Sequence, residues 1–276
     1  MAPPGPLHQC PHRILMLHGF TQSGELFHAK TRPLGKALAK AFPGVELIYP
    51  TAPIALSAND LPSRDEAPPP PSVPAPVDCW AWWRAREPHG EYVGLEQSLE
   101  YISDLLRREG PFDGIVGFSQ GAAAAAMVAA LLETGRREAF ADAHAANRDS
   151  LSLPTAVAQL DHPPLRFAVC YSGFSSEHQL YVAFYTPSIA TPSLHFIGSL
   201  DTVVEESWTQ ELVARCESGT ASVALHPGGH FVPTGKRETA VVIDFIRKAC
   251  LSDKSQTVGS ASGVEDQDVL DMDFPF

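Results

Sequence analysis

The sequence predicts an α/β fold, with a mostly parallel central sheet flanked by helices. Short apolar runs alternate with segments of helical periodicity over most of the 276 residues. Runs that are apolar throughout are typical of strands buried on both faces, and such strands need crossover helices above and below the sheet. One of these runs leads directly into a serine between two glycines, which places a candidate reactive group at the end of a strand.

The individual elements follow from these patterns. Six apolar runs are predicted strands, because each is short and bounded by turn-forming or polar residues. They span residues 13–19, 45–53, 114–117, 165–172, 194–198 and 222–226. Most of the predicted helices carry apolar side chains at helical spacing. They span residues 94–109, 120–133, 205–216 and 238–250.

The chain is long enough for one large domain, which we expect to span residues 12–250. Residues 1–11 are expected to form a flexible N-terminus. Residues 61–76 hold seven prolines and predict a surface loop, because proline lacks an amide donor. Residues 135–164 predict an insertion, part helix and part loop. Residues 251–276 carry six acidic side chains against one lysine, which predicts a disordered acidic tail, with a docking segment as the alternative.

Composition narrows the classes of function. The net charge is −12 and no basic face is evident, so we expect no nucleic-acid partner. No apolar run reaches the roughly 18 residues that cross a bilayer, and the N-terminus lacks the apolar core of a signal peptide, so we expect a cytoplasmic protein. The five cysteines are widely spaced and the histidines lack metal-ligand spacing. We therefore expect reduced thiols, no metal site and no cofactor.

Residues 117–121 read Gly-Phe-Ser-Gln-Gly and fit the motif G-x-S-x-G. Between a strand and a helix this motif forms a nucleophile elbow, in which the serine points out of a sharp turn. Side chains at Gly117 and Gly121 are expected to collide in such a turn. The alanines at 122–126 favour helix formation and let the helix lie close against the sheet. We therefore predict Ser119 as a nucleophile.

A serine hydroxyl is a poor nucleophile, so it needs a base to accept its proton and an acid to orient that base. After a nucleophile elbow the chain order is Ser, then Asp or Glu, then His. Asp201 follows a predicted strand, and His230 lies in a glycine-rich turn after the next strand, so both match in order and placement. Glu205 and Glu206 are alternatives for the acid but fall on the next helix. His226 is expected to lie on the strand as a supporting residue.

The reaction also needs hydrogen-bond donors for the developing oxyanion. The backbone amide of Gln120 is one predicted donor, because it lies at a helix N-terminus where amides are unpaired. The second is predicted in the loop after the first strand, at Phe20, with Thr21 as the alternative. His18 is expected to brace that loop.

Several segments occur in order along the chain: LHGFTQSG, FDGIVGFSQGAA, YSGF, GSLD and HPGGHFVP. Together they resemble the eukaryotic family of serine hydrolases over about residues 12–250. The resemblance implies an α/β-hydrolase fold without a large separate lid domain. It implies Ser119, His230 and Asp201 as a catalytic triad that cleaves carboxylic esters through an acyl-enzyme intermediate. It also implies an alternative, a thioesterase that releases a polyketide or other acyl chain from a carrier protein or synthase.

Aromatic side chains near the predicted site are candidates for substrate contacts, because ligand pockets have mostly apolar linings. Phe231 follows the predicted base, and Trp82 lies in the segment CWAWWR, where Trp80 and Trp83 are alternatives. The expected partner is a small-molecule ester or thioester. A non-catalytic binding protein with the same fold is the remaining alternative, which the absence of a triad residue would favour.

Overall fold

The structure is a computed structural model that describes residues 11–57, 60, 78–86 and 90–258. The strands within these ranges are β1 (Arg13–Leu17), β2 (Glu46–Ile48), β3 (Ile54–Ala55), β4 (Trp80–Ala81), β5 (Arg84–Arg86), β6 (Glu91–Val93), β7 (Gly114–Phe118), β8 (Phe167–Tyr171), β9 (Ser193–Gly198) and β10 (Ala221–His226). The α-helices are α1 (Gly24–Ala41), α2 (Leu95–Glu109), α3 (Gln120–Leu131), α4 (Arg136–Ala146), α5 (Thr155–Ala158), α6 (Glu206–Ala214) and α7 (Lys236–Val258). A 3-10 helix covers Gln179–Phe184.

Six strands form one sheet in the order β10-β9-β8-β7-β1-β2, and every neighbouring pair is parallel. The predicted fold class is therefore confirmed. Because the strands are parallel, their carboxyl ends meet at one edge of the sheet. The strand β7, which leads into the G-x-S-x-G motif, lies between β1 and β8. Two small antiparallel pairs, β3–β4 and β5–β6, lie outside this sheet.

The sheet separates two apolar cores, because successive strand side chains point to opposite faces. On β1, Leu15 and Leu17 face one core, whereas Ile14 and Met16 face the other. Helices α2 and α3 cover the first core, and α1 and α7 cover the second. Helix α3 is buried on every side, and its alanines keep it close to the sheet. This packing holds the start of α3, and therefore the G-x-S-x-G turn, in a rigid position.

Two helices differ from the sequence prediction. Helix α1 was not predicted, and it contains Pro33 and Gly35 in its interior, both of which weaken a helical signal. It begins after Ser23, whose hydroxyl accepts a hydrogen bond from the amide of Leu26. Helix α7 continues to Val258, past its predicted end at residue 250 and into the segment predicted as tail. None of the helices in the described part of the chain is long and apolar enough to span a membrane.

Other predictions concern segments rather than single elements. The segment 135–164 contains α4 and α5 with non-helical chain around them. The proline-rich segment 61–76, residues 1–10 and residues 259–276 lie outside the described residues. Cys250 forms a disulfide bond, so the expectation of reduced thiols is wrong at this position. Three further cysteines are free thiols: Cys79, Cys170 and Cys216.

Candidate active site

Ser119 occupies the turn between β7 and α3, with a backbone conformation that few side chains adopt. Its φ is 53° and its ψ is −119°, and a positive φ is uncommon outside glycine. The turn is held on both sides, since the Ser119 amide donates to the Tyr171 carbonyl at 2.8 Å and the Ser119 carbonyl accepts from the amides of Ala122 and Ala123. Strained residues of this kind persist where the surroundings fix them, and they cluster at functional sites.

The two glycines of the motif avoid clashes with different parts of the backbone. A Cβ atom at Gly117 would lie 2.1 Å from the carbonyl oxygen of Gly121, so this glycine relieves the turn itself. A Cβ atom at Gly121 would instead lie 2.3 Å from the carbonyl oxygen of Leu17 and 2.4 Å from that of His18. The second glycine therefore lets α3 approach the end of β1, which is a different reason from the predicted collision within the turn.

His230 lies in the turn after β10, and it reaches both of its predicted partners. Its Nε2 atom is 3.0 Å from the Oγ atom of Ser119. Its Nδ1 atom is 2.8 Å from the Oδ2 atom of Asp201. The ring of Phe118 lies against the imidazole, with the ring centroids 4.7 Å apart. The three side chains predicted from three separate segments thus form one continuous line of hydrogen bonds.

Asp201 lies just after β9, and its carboxylate accepts four hydrogen bonds. Oδ2 accepts from the Ser172 hydroxyl and from His230, and Oδ1 accepts from the amides of Val203 and Val204 at 2.9 and 3.0 Å. The side chain is only 1% exposed. Burial alone would raise the pKa of Asp201, but the four hydrogen bonds outweigh it and lower the pKa below its usual value. The carboxylate is therefore charged at neutral pH.

Ser172 is a part of the site that the sequence reasoning missed. It follows β8 with a φ of 49°, and its hydroxyl donates to Asp201 at 2.8 Å. Such a residue looks like an ordinary serine in the segment YSGF, and its position after an apolar run was the one available signal.

The alternatives considered for the acid and the base lie elsewhere. Glu205 is the N-cap of α6 and Glu206 is its first residue, and both are exposed to solvent. His226 ends β10, where its Nδ1 atom accepts from the Gly228 amide at 3.2 Å and its ring contacts Phe231. The pKa of His226 is lowered, mainly by burial. The structure brings Asp201 and His230, rather than these residues, to Ser119.

The two predicted oxyanion donors lie in the loop after β1 and at the start of α3, and these segments meet where Gly121 approaches the carbonyl oxygens of Leu17 and His18. Among the described residues, no group accepts a hydrogen bond from the backbone amide of Phe20 or of Gln120. The amide of Thr21, the alternative, donates to the Trp80 carbonyl at 3.0 Å. Phe20 and Gln120 therefore have amides available for a ligand, and Thr21 does not.

His18 precedes this loop and is completely buried. Its Nε2 atom accepts from the Ala52 amide at 2.9 Å, so Nδ1 carries the hydrogen and donates it to the Gly19 carbonyl at 2.8 Å. Burial lowers the pKa of His18 to about 4. The residue is thus a neutral imidazole that holds the loop, as expected from the sequence.

The two predicted substrate-contacting aromatics differ in their access to solvent. Phe231 is 51% exposed beside His230 and can meet a ligand. Trp82 is 0% exposed, and its indole donates to the His18 carbonyl at 2.9 Å. The prediction of a substrate contact at Trp82 is therefore wrong for this conformation, because the side chain has no surface to offer. Within the described ranges, no three His, Cys, Asp or Glu side chains cluster so as to hold a metal ion.

A parallel sheet whose central strand turns through a serine into a buried helix is the α/β-hydrolase fold. The family model described as "Serine hydrolase (FSH1)" matches residues 8–242. The chain belongs to this family of serine hydrolases.

Individual proteins are also similar to this chain over most of its length. A Schizosaccharomyces pombe protein named dihydrofolate reductase is 34% identical over 242 residues, which cover 87% of this chain and 48% of that protein. The chain thus spans about half the length of that relative. Esterase OVCA2 of Danio rerio is 33% identical over 252 residues, which cover 86% of this chain and 97% of that protein.

Among solved structures, the acyl-protein thioesterase 2 of Zea mays matches with a TM-score of 0.53 and 19% identity. The match covers 86% of this chain and 93% of that chain. At this identity the likeness supports the fold alone.

Proposed function

We propose that this protein is a serine esterase that cleaves carboxylic esters, or thioesters of the same acyl groups, through an acyl-enzyme intermediate. The observation that carries the proposal is the line of hydrogen bonds from Ser119 through His230 to Asp201, at 3.0 and 2.8 Å. A serine and a histidine at this separation can exchange a proton as nucleophile and base.

In the first step, the Ser119 oxygen attacks the ester carbonyl carbon while His230 Nε2 accepts the hydroxyl proton. The electron pair of the carbonyl bond moves to its oxygen. The amides of Phe20 and Gln120 donate to this oxyanion, and such donors stabilise the transition state more than the ground state. Gln120 adds the favourable N-terminal dipole of α3.

The tetrahedral intermediate then collapses. His230 gives its proton to the leaving alcohol, and the acyl group remains on Ser119. A water molecule repeats the sequence, with His230 as base, and releases the acid and free Ser119. Asp201 stays charged throughout, since its pKa is held low, and it keeps Nδ1 protonated and Nε2 facing the serine.

The experiment is hydrolysis of a series of p-nitrophenyl esters from acetate to palmitate, with the matching acyl thioesters of a small thiol. Ser119→Ala is assayed beside wild type, with Ser199→Ala as the matched control. Ser199 lies after β9, and its hydroxyl reaches the His226 carbonyl rather than the proposed nucleophile.

We expect wild type and Ser199→Ala to turn over at similar rates and Ser119→Ala to fall to background. Retained activity in Ser119→Ala would disprove the assignment of the nucleophile. Inactivity of wild type across both series would favour the non-catalytic binding protein over an esterase or a thioesterase.

A further inference from the structure

The segment around Trp82 links the two loops whose amides are the proposed oxyanion donors. On one side, the Gln120 side chain forms two hydrogen bonds with the backbone of this segment. Its Oε1 atom accepts from the Trp82 amide at 2.8 Å, and its Nε2 atom donates to the Trp83 carbonyl at 2.8 Å. The residue that supplies one donor is thereby tied to the tryptophan backbone.

On the other side, the same segment forms hydrogen bonds with the loop after β1. The Trp82 indole donates to the His18 carbonyl at 2.9 Å. Two residues earlier, the Trp80 carbonyl accepts the Thr21 amide, and Gln22 pairs with Trp80 as an isolated antiparallel bridge. The loop that contains Phe20 is therefore held before and after the proposed donor.

The orientation of the Phe20 amide follows from its neighbours. The Gly19 carbonyl accepts from His18 Nδ1 and from the Gln22 amide. In a trans peptide the N–H points opposite to the C=O, so fixing the Gly19 carbonyl also fixes the direction of the Phe20 N–H. His18 is held in turn by the Trp82 indole and by the Ala52 amide.

These contacts are protected from water. Trp82 and His18 are 0% exposed, and Gln120 is 6% exposed. Hydrogen bonds in such surroundings are not exchanged for solvent, and losing one leaves a buried polar group without a partner. They therefore fix geometry more firmly than surface contacts do.

We propose that Trp82 is a positioning residue which, with the Gln120 side chain, sets the separation of the Phe20 and Gln120 amides. This rests on the proposed esterase function and adds a role for a residue outside the triad. The two amides come from distant parts of the chain, so only tertiary contacts determine their spacing. Donors must lie within about 2.7–3.1 Å of the oxyanion to stabilise it, so small displacements are costly.

The test compares Trp82→Phe with the matched control Trp83→Phe. Both changes remove an indole nitrogen from a buried tryptophan in the same segment. The Trp83 ring, however, stacks on Tyr92 with centroids 4.5 Å apart, and within the described ranges its indole forms no hydrogen bond to the loop that contains Phe20. Gln120→Met is a second variant, which keeps the length of the side chain and removes its hydrogen bonds to the segment.

The assays measure kcat and KM for p-nitrophenyl acetate and the inhibition constant of an aryl trifluoromethyl ketone. Ser119 Oγ adds to the ketone carbon, its proton goes to His230, and the former carbonyl oxygen becomes an oxyanion bound to the enzyme. Affinity for this inhibitor therefore reports on the oxyanion donors. The thermal midpoint of each variant is measured alongside to separate positioning from stability.

We expect Trp82→Phe and Gln120→Met to lower kcat by about 10- to 100-fold, with KM changed less than about threefold, because one lost oxyanion donor costs about 100- to 1,000-fold. Inhibitor affinity falls in parallel with kcat/KM. Trp83→Phe changes kcat and inhibitor affinity much less, although its thermal midpoint is similar to that of Trp82→Phe.

Two results overturn the proposal: an unchanged kcat and inhibitor affinity in Trp82→Phe, or equal losses in Trp82→Phe and Trp83→Phe. In either case the esterase assignment still stands if Ser119→Ala is inactive. Activity in Ser119→Ala would remove the esterase assignment itself, so the two failures are distinguishable.

Discussion

Ser172 and His230 donate to the same oxygen of Asp201. Both donor atoms lie 2.8 Å from Oδ2, while Oδ1 is occupied by the backbone amides of the loop. The carboxylate is thus fully saturated with donors and cannot rotate away from the histidine. This arrangement explains how a nearly buried aspartate keeps its charge and its orientation.

Replacing Ser172 tests this role. We expect Ser172→Ala to lower the free energy of unfolding by about 1–3 kcal/mol, because a hydrogen bond to a buried charge is lost, and to reduce kcat. It also raises the pKa of Asp201 towards its usual value. A lowered carboxyl pKa gives the native state stability above the unfolded-state pKa, and this stability is lost as the pH falls through the native pKa. Because the native pKa of Asp201 is raised in the variant, its acid-side loss of stability is smaller than that of wild type.

Urea denaturation at several pH values gives the measurement. Ser175→Ala is the matched control, because the Ser175 hydroxyl is buried with no hydrogen-bond partner in the described part of the chain. Equal effects of the two substitutions would contradict the role given to Ser172.

Replacing each acidic residue with its isosteric amide distinguishes the role of Asp201 from that of Glu205. We expect Asp201→Asn to lower kcat by about 10³- to 10⁴-fold, because an amide presents the wrong partner to His230 Nδ1. Glu205→Gln, at the exposed N-cap of α6, is the control and leaves kcat within about twofold. Steady-state kinetics on a p-nitrophenyl ester gives both values. A large loss in Glu205→Gln with activity retained in Asp201→Asn would transfer the acid role to Glu205.

The close approach of Gly121 in α3 to the carbonyl oxygens of Leu17 and His18 can be tested by substitution. We expect Gly121→Ala to destabilise the fold by about 3 kcal/mol or more, because the new methyl group meets the backbone of β1 and backbone cannot move aside cheaply. Gly35→Ala inside α1 is the control, where a Cβ would lie 3.4 Å from a Leu47 methyl group. There alanine stabilises by up to about 1 kcal/mol through helix propensity. Thermal or urea denaturation measures the free energy of unfolding of each variant. If Gly121→Ala unfolds with nearly the same free energy as wild type, that result contradicts the close approach of α3 to β1.

A buried histidine far from the site predicts a pH dependence of stability. His195 on β9 is 1% exposed, and burial lowers its pKa to about 4. The unfolded chain binds a proton below about pH 6.5 whereas the native protein does not, so stability is lost as the pH falls between these values. For one such histidine the loss from pH 7 to pH 5 is about 2 kcal/mol.

The measurement is urea denaturation of wild type and His195→Gln at pH 7 and pH 5. Glutamine does not titrate, so the variant loses less stability than wild type over this interval, whatever its stability at pH 7. The same loss in both proteins would show that His195 does not titrate as the structure implies.

The sequence predicted that Ser119, His230 and Asp201 would lie together, and they form one line of hydrogen bonds, because each of them carries a local signal. Ser119 has its flanking glycines, Asp201 follows a strand end, and His230 lies in a glycine-rich turn. The order of strands then brings these ends to one edge of the sheet. Local pattern and chain order were enough for these residues, without knowledge of the packing.

What the sequence could not provide is information that depends on packing between distant segments. Ser172 has no motif, and its contact with Asp201 arises only when β8 and β9 pair. Trp82 has the sequence signal of a pocket aromatic, yet it is completely buried and forms hydrogen bonds with the His18 carbonyl and the Gln120 side chain. Helix α1 was missed because Pro33 and its neighbours obscure the apolar stripe that tertiary packing satisfies.

The measurement that tests the central claim most directly is mass spectrometry of the enzyme quenched during turnover of a p-nitrophenyl ester. We expect the protein to gain the mass of the acyl group, and peptide mapping to locate that group on Ser119. Ser119→Ala should gain none. An acyl group found on another residue, or turnover by wild type with no acylated protein when product release shows an initial burst, would contradict the proposed mechanism.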